Sequence, residues 1–242
     1  MAKASRRPRA RPTASPDAPR RGLVLGGGGV LGAAWMVGAL WAIEQVHQID
    51  LRTVDYLVGT SAGSIIAALL ASEVTPDQLR RHQLGEVVED GPLAGYWWDY
   101  DNATGGSRPG VPRFGPGSTG IMRNIGRFRQ MPPTAVLSAF LPEGRGSLAR
   151  VGHLVESVNP PGEWTRHPGT FIVTMDYETG ERVAFGSPGA PPADLAEAVM
   201  ASCSIPAWFA PMVINGRRYV DGGACSATSV DLLADLGPVS YT

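Results

Sequence analysis

Ser61 sits in Gly59-Thr60-Ser61-Ala62-Gly63, after the apolar run Tyr56-Leu57-Val58 and before the helix-like run Ile65-Ile66-Ala67-Ala68-Leu69-Leu70. A serine at a tight strand-to-helix turn is forced into a strained backbone conformation, and glycines two residues to either side let the strand and helix pass closely. Its hydroxyl is then exposed at the carboxyl edge of a sheet, above a helix N-terminus whose amides favour developing negative charge. The chemistry is nucleophilic acyl transfer, which also needs a base within reach of the hydroxyl and amide donors aimed at the tetrahedral oxyanion. Taken alone, the same five residues are equally compatible with a simple turn.

The donors are offered by Gly26-Gly27-Gly28-Gly29, a run between a strand and a helix. Such a loop points successive backbone N–H groups into one concavity, and one donor is worth roughly 10² to 10³ in turnover. The base is the unusual part. An α/β-hydrolase order of Ser, acid, His requires a late histidine, and none follows His167; the four histidines, His47, His82, His153 and His167, are scattered and read as surface or helix-end residues. Asp221 is the alternative, since it ends a strand and is followed by Gly222 and Gly223, which let backbone or substrate approach. A carboxylate acting alone needs its pKa raised by partial burial. On local grounds Asp-Gly-Gly is also a plain turn.

These residues need a framework. The pattern from 22 to 71 predicts strand (23–25), glycine loop, buried helix (31–47), strand (55–58), elbow and helix (64–71), a βαβα unit that implies a parallel sheet with helices on its faces. The chain then loosens over about 72–168. Strands return at 170–177 and 182–185 around Glu178-Thr179-Gly180, a helix at 193–201, and a hairpin with Asn215-Gly216 at a type I′ turn between 212–214 and 217–220.

A chain of 242 residues with 43% hydrophobic content supports one core, so one catalytic domain is expected over 22–242 with a lid or insert at about 90–168. Residues 1–21 hold seven of the 21 basic residues and one acid, and read as a disordered Arg/Pro-rich tail. The remainder carries 14 basic and 21 acidic residues, a formal net charge of about −7, which argues against nucleic-acid binding. Gly22 to Ile43 is uncharged and of bilayer-spanning length, but its seven glycines argue against a signal or a span. Two cysteines, Cys203 and Cys225, fit a reducing compartment, so the expected location is the cytoplasm with peripheral membrane contact. No Cys/His cluster has metal-ligand spacing, and no cofactor is expected.

The glycine loop 26–29 with Gly32, the elbow 59–63, the segment Ala201-Ser202-Cys203-Ser204-Ile205-Pro206 and Asp221-Gly222-Gly223, in this order, resemble the patatin-like phospholipase family over about residues 22–235. The resemblance implies a three-layer α/β/α fold with a mostly parallel central sheet, related to the α/β-hydrolases, and a Ser-Asp dyad. It implies hydrolysis of acyl esters in phospholipids or neutral lipids through an acyl-enzyme, without metal or cofactor. Carried onto this chain, Ser61 is the nucleophile, Asp221 the base, Gly27, Gly28 and Gly29 the oxyanion hole, and Gly59, Gly63, Gly222 and Gly223 support them. Two departures stand out. Val30-Leu31 stand where the family's glycine loop often has a basic residue. Ser226-Ala227-Thr228-Ser229 replaces an Asn-Pro-type turn, leaving the expected following strand absent or reduced to Pro238-Val239-Ser240.

A lipid-facing lid is expected at 119–130, where Ile121, Ile125 and Phe128 share one helical face near Arg123, Arg127 and Arg129; the bland alternative is a surface helix packed on the core. Trp97-Trp98-Asp99-Tyr100 could deepen an acyl pocket or pack internally. Two rival functions remain: a catalytically silent lipid-binding scaffold on the same fold, and a dinucleotide-binding protein, since Gly27-x-Gly29-x-x-Gly32 fits that fingerprint. The second requires an acid at the far end of the second strand, a place taken by the elbow; Asp50 precedes that strand and Asp55 opens it.

Overall fold

The βαβα pattern of the first third folds as its hydrophobic periods dictate. The computed structural model describes residues 20–97, 111–234 and 239–240; the basic residues of 1–19, Trp98, Asp99, Tyr100 and Arg108 lie outside them. In chain order the elements are β1 (Arg20–Leu25), α1 (Gly29–His47), β2 (Tyr56–Thr60), α2 (Ala62–Ala71), α3 (Pro76–Gln83), α4 (Thr119–Arg123), α5 (Pro133–Phe140), α6 (Ala149–Glu156), β3 (Thr170–Asp176), β4 (Arg182–Phe185), α7 (Leu195–Ser202), β5 (Met212–Ile214), β6 (Arg217–Asp221) and β7 (Val239–Ser240). Strand β1 begins at Arg20, inside the stretch that composition assigned to the tail, because Arg21 exchanges hydrogen bonds with Asp55 and pairs with Ser240.

The seven strands form one mixed α/β sheet in the order β5-β6-β3-β2-β1-β7, with β4 also on β3. β7, β1, β2 and β3 are mutually parallel, and the two hairpins add antiparallel pairs to β3. The β5–β6 turn has positive φ at Asn215 (49°) and Gly216 (76°), as a type I′ turn requires. The strand expected after the Ser226–Ser229 segment is present as the two residues of β7, paired with Arg20 and Arg21.

Alternation along the strands separates two faces. Leu25, Leu57, Ile172, Phe185 and Tyr219 join the main core with α1, α2, α3, α6 and α7, whereas Val58, Phe171, Val173 and Ala184 face Leu233 of the 3-10 turn Val230–Leu233. Farther along the second face Met175, Tyr177 and Val220 pack against Ile121, Ala135 and Ala139 of α4 and α5. Among the described residues the three layers are therefore unequal, five helices on one face and two short ones with a 3-10 turn on the other.

Two expectations change here. Residues 119–130 do not form one amphipathic helix: α4 ends at Arg123 with Asn124 as its C-cap, a 3-10 helix takes over at Ile125–Gln130, and Ile121 is fully buried in the second-face cluster with Phe128 packed at its margin. Its apolar spacing serves the core. α1, expected to be a buried helix, buries only Met36, Val37 and Leu40, and leaves Val30, Leu31, Trp35, Ile43 and Val46 exposed. It is long and apolar enough to cross a membrane by length and composition.

Candidate active site

Ser61 lies between β2 and α2 with φ 53° and ψ −124°, a left-handed conformation that costs a non-glycine residue about 1–3 kcal/mol. Close packing makes the strain unavoidable. A Cβ on Gly59 would come within 2.6 Å of Ser64 Cα, and one on Gly63 would overlap the Leu25 carbonyl oxygen, so both glycines are needed for the strand, the helix and the end of β1 to meet. Ser61's own backbone is held from three sides. Its N–H donates to Ser202 Oγ at 2.9 Å, and its carbonyl accepts from Ser64 Oγ at 2.6 Å and from the Cys203 thiol at 3.4 Å. Ser202 Oγ in turn donates to the Val173 carbonyl at 2.6 Å, tying the elbow to the centre of β3.

That explains the segment 201–206, which sequence reasoning singled out without assigning it a task. Ser202 and Cys203 end α7 against the nucleophile, and Ser204 accepts the Asp221 N–H through its carbonyl at 3.0 Å. Nothing in the sequence distinguishes the Ser202 hydroxyl from any other at a helix terminus. Burial, with the nearby Asp221 charge second, pushes the Cys203 thiol up to about 12, so it stays protonated and donates.

Asp221 is brought to Ser61 by strand register. β3 pairs Thr60 with Val173 and Asp221 with Thr174, so the ends of β2 and β6 arrive at consecutive residues of one strand. Gly222 makes this possible, since a Cβ there would lie 2.5 Å from the Val173 carbonyl oxygen. The buried carboxylate accepts the Gly223 N–H at 2.7 Å, and the Ser61 side chain and this N–H both act to lower its pKa. Desolvation outweighs both and raises its pKa above the ordinary aspartate value. His167, expected at the surface or a helix end, is buried and bonds the Val54 carbonyl at 2.9 Å and Thr170 Oγ1 at 3.0 Å. It braces the amino end of β3, away from Ser61.

The glycine loop begins beside the elbow because Leu25 pairs with Gly59. Gly27 packs on Ser61, where an added Cβ would sit 3.6 Å from Ser61 Cβ. Its N–H is already committed to the Ala227 carbonyl at 2.9 Å, which removes Gly27 from the expected set of three donors. Gly28 and Gly29, at the N-cap and first residue of α1, have amides without partners among the described residues. Ser226–Ser229 thus occupies the position of the missing Asn-Pro-type turn and positions the loop through Ala227. Among the described residues no cluster of three or more His, Cys, Asp or Glu is placed to hold a metal. A cavity of about 320 Å³ lies elsewhere, between Met131, Thr179, Arg182 and Cys225.

In solved structures, VipD from Legionella pneumophila is similar at 17% identity, with a TM-score of 0.45 over 86% of this chain and 47% of that one. The present chain thus spans about half the length of that protein. The family model of the patatin-like phospholipases matches residues 23–234, which takes in the glycine loop, the elbow, the end of α7 and Asp221-Gly222-Gly223. The chain belongs to the patatin-like phospholipase family.

Proposed function

We propose that this protein is a serine lipid acyl hydrolase working through a Ser61–Asp221 dyad. The observation that carries the reading is the meeting of β2 and β6 on consecutive residues of β3, which brings Ser61 and Asp221, both buried, to one edge of the sheet. Asp221, made more basic than an ordinary aspartate by burial, takes the Ser61 proton as Oγ attacks the acyl carbon. The oxyanion receives the amides of Gly28 and Gly29 at the positive end of α1. Collapse of the tetrahedral adduct breaks the ester C–O bond, the alcohol leaves with the proton from Asp221, and the acyl group stays on Ser61. Asp221 then deprotonates a water that attacks the acyl-enzyme, and a second collapse releases the fatty acid and returns the proton to Ser61.

A fluorophosphonate probe should label Ser61, and hydrolysis of short-chain nitrophenyl esters and phospholipids should fall by about 10⁴-fold or more in Ser61→Ala and by about 10² to 10⁴-fold in Asp221→Asn. Full activity in either folded variant overturns the assignment. Absence of labelling in the folded native chain favours a silent scaffold.

A further inference from the structure

The residues flanking the candidate active site are apolar and open to solvent on two independent segments. In the first two turns of α1, directly after the glycine loop, Leu31 is 85% and Trp35 74% exposed. Past α7, whose last residues hold the Ser61 backbone, Ile205 and Trp208 are 45% and 46% exposed. Both segments are tied to Ser61 within a few residues, one through Gly27 against its Cβ and the other through Ser202 and Cys203. Large apolar side chains on separate elements around one catalytic edge form the kind of patch that marks an interaction site.

The charge around this rim is one-sided. No Asp or Glu occurs in 26–43, 144–155 or 198–220. Arg145 stands in the loop that packs on Trp208, where Gly146 N–H donates to the Trp208 carbonyl at 2.9 Å, and it is exposed with no ion pair among the described residues. Three carboxylates near this end of the sheet are engaged, Asp176 with Arg217, Glu178 with Arg218, and Glu143 with Arg113 and Arg218, and Asp221 is buried at its edge. An apolar rim with an arginine beside it suits an anionic lipid surface, where the apolar side chains enter the bilayer and the cation meets the head-group charge, although the body beyond the first 21 residues is acidic overall.

We propose that Leu31, Trp35, Ile205 and Trp208, with Arg145 beside them, form the face by which this protein docks on an anionic bilayer, holding the Ser61 edge against the lipid. This replaces the 119–130 segment, whose Ile121 is buried in the core, as the point of contact. The inference rests on the lipid acyl hydrolase reading for what the docked edge would encounter, but the docking itself is measurable without turnover.

The test uses the full chain carrying Ser61→Ala and flotation with vesicles of phosphatidylcholine, with and without phosphatidylglycerol. Adding Leu31→Gln, Trp35→Gln and Trp208→Gln should lower partitioning by about tenfold or more, while Arg145→Gln should weaken it on the anionic vesicles only. In chains that retain Ser61, the same triple change should leave turnover of a dispersed short-chain nitrophenyl ester within about twofold, since none of these side chains is part of the proposed catalytic machinery. Brominated-chain lipids should quench the fluorescence of the Ser61→Ala chain, and Trp35→Phe with Trp208→Phe should abolish most of that quenching, which decides the matter if the triple variant does not fold. Partitioning unchanged by the substitutions, as binding through residues 1–19 would give, overturns the proposal. So does self-association without vesicle binding, which would assign the face to a second copy. If the native chain hydrolyses no ester at all, the hydrolase reading fails while flotation and quenching still decide the docking face.

Discussion

Asp221 works against the fold it belongs to. Burial raises its pKa, so the folded state binds a proton more tightly than the unfolded chain does. The destabilisation is absent below the ordinary aspartate pKa, grows as pH rises towards the folded value, and is complete above it. Asp221→Asn keeps an oxygen for the Gly223 N–H and removes the charge. It should therefore lose most of its activity yet melt at a higher temperature at pH 8, with the gain vanishing in strong acid. Calorimetry across that range checks the sign: a melting gain that persists below pH 3 contradicts it. The same pKa sets the acid limb of kcat/KM, which should lie above the range of an ordinary aspartate because only the carboxylate can accept the Ser61 proton.

At the scale of the element, two glycines that look alike in sequence act for different reasons. Gly63 opens α2 under the end of β1, and any Cβ there strikes the Leu25 carbonyl, so Gly63→Ala should cost about 2–3 kcal/mol through forced separation of strand and helix. Gly29 has open space around it but a φ of +58°, so Gly29→Ala should cost only about 1–2 kcal/mol, all of it backbone strain. Denaturant unfolding of both variants separates the mechanisms, and equal losses would contradict the steric account. This difference also shows what was legible in the sequence. The elbow, Asp221-Gly222-Gly223 and the Asn215-Gly216 turn were readable because strand, turn and helix signals adjoin them locally. The burial of Ile121 was not, since a core-facing and a lipid-facing stripe share one spacing, and only the break at Asn124 and the packing of Met175 and Tyr177 decide between them. The commitment of the Gly27 amide was also hidden, because its partner Ala227 is two hundred residues away and lies on a loop without a family signature.

Across the whole molecule, the glycine loop depends on the segment 226–233, about two hundred residues farther along the chain. Arg182 on β4 holds Asp231 through both carboxylate oxygens at 2.8 and 2.5 Å, and that pairing keeps the Asp231 carboxyl below the usual range. Asp231 lies in the 3-10 turn that follows Ser226–Ser229, whose Ala227 carbonyl takes the Gly27 N–H. The pair is half open to water, so Arg182→Ala should cost about 1 kcal/mol or less in stability. Its effect on turnover should be larger in proportion, about three- to tenfold in kcat with KM little changed, because loosening Ala227 lets the donor loop drift. High salt should lower the activity of the native chain in the same way and leave the variant unaffected. A variant with unchanged kcat would show that the loop holds its shape without this tether. The convergence of β2 and β6 on Val173 and Thr174 has a different consequence. β3 contributes no reactive group, yet one residue inserted or deleted within it would displace the two reactive residues relative to each other by about 3.3 Å. Length variation in this chain should thus be absorbed in the connections between the elements of 72–168, whose helices are themselves part of the cores, while the seven residues of β3 admit substitutions but no change in number.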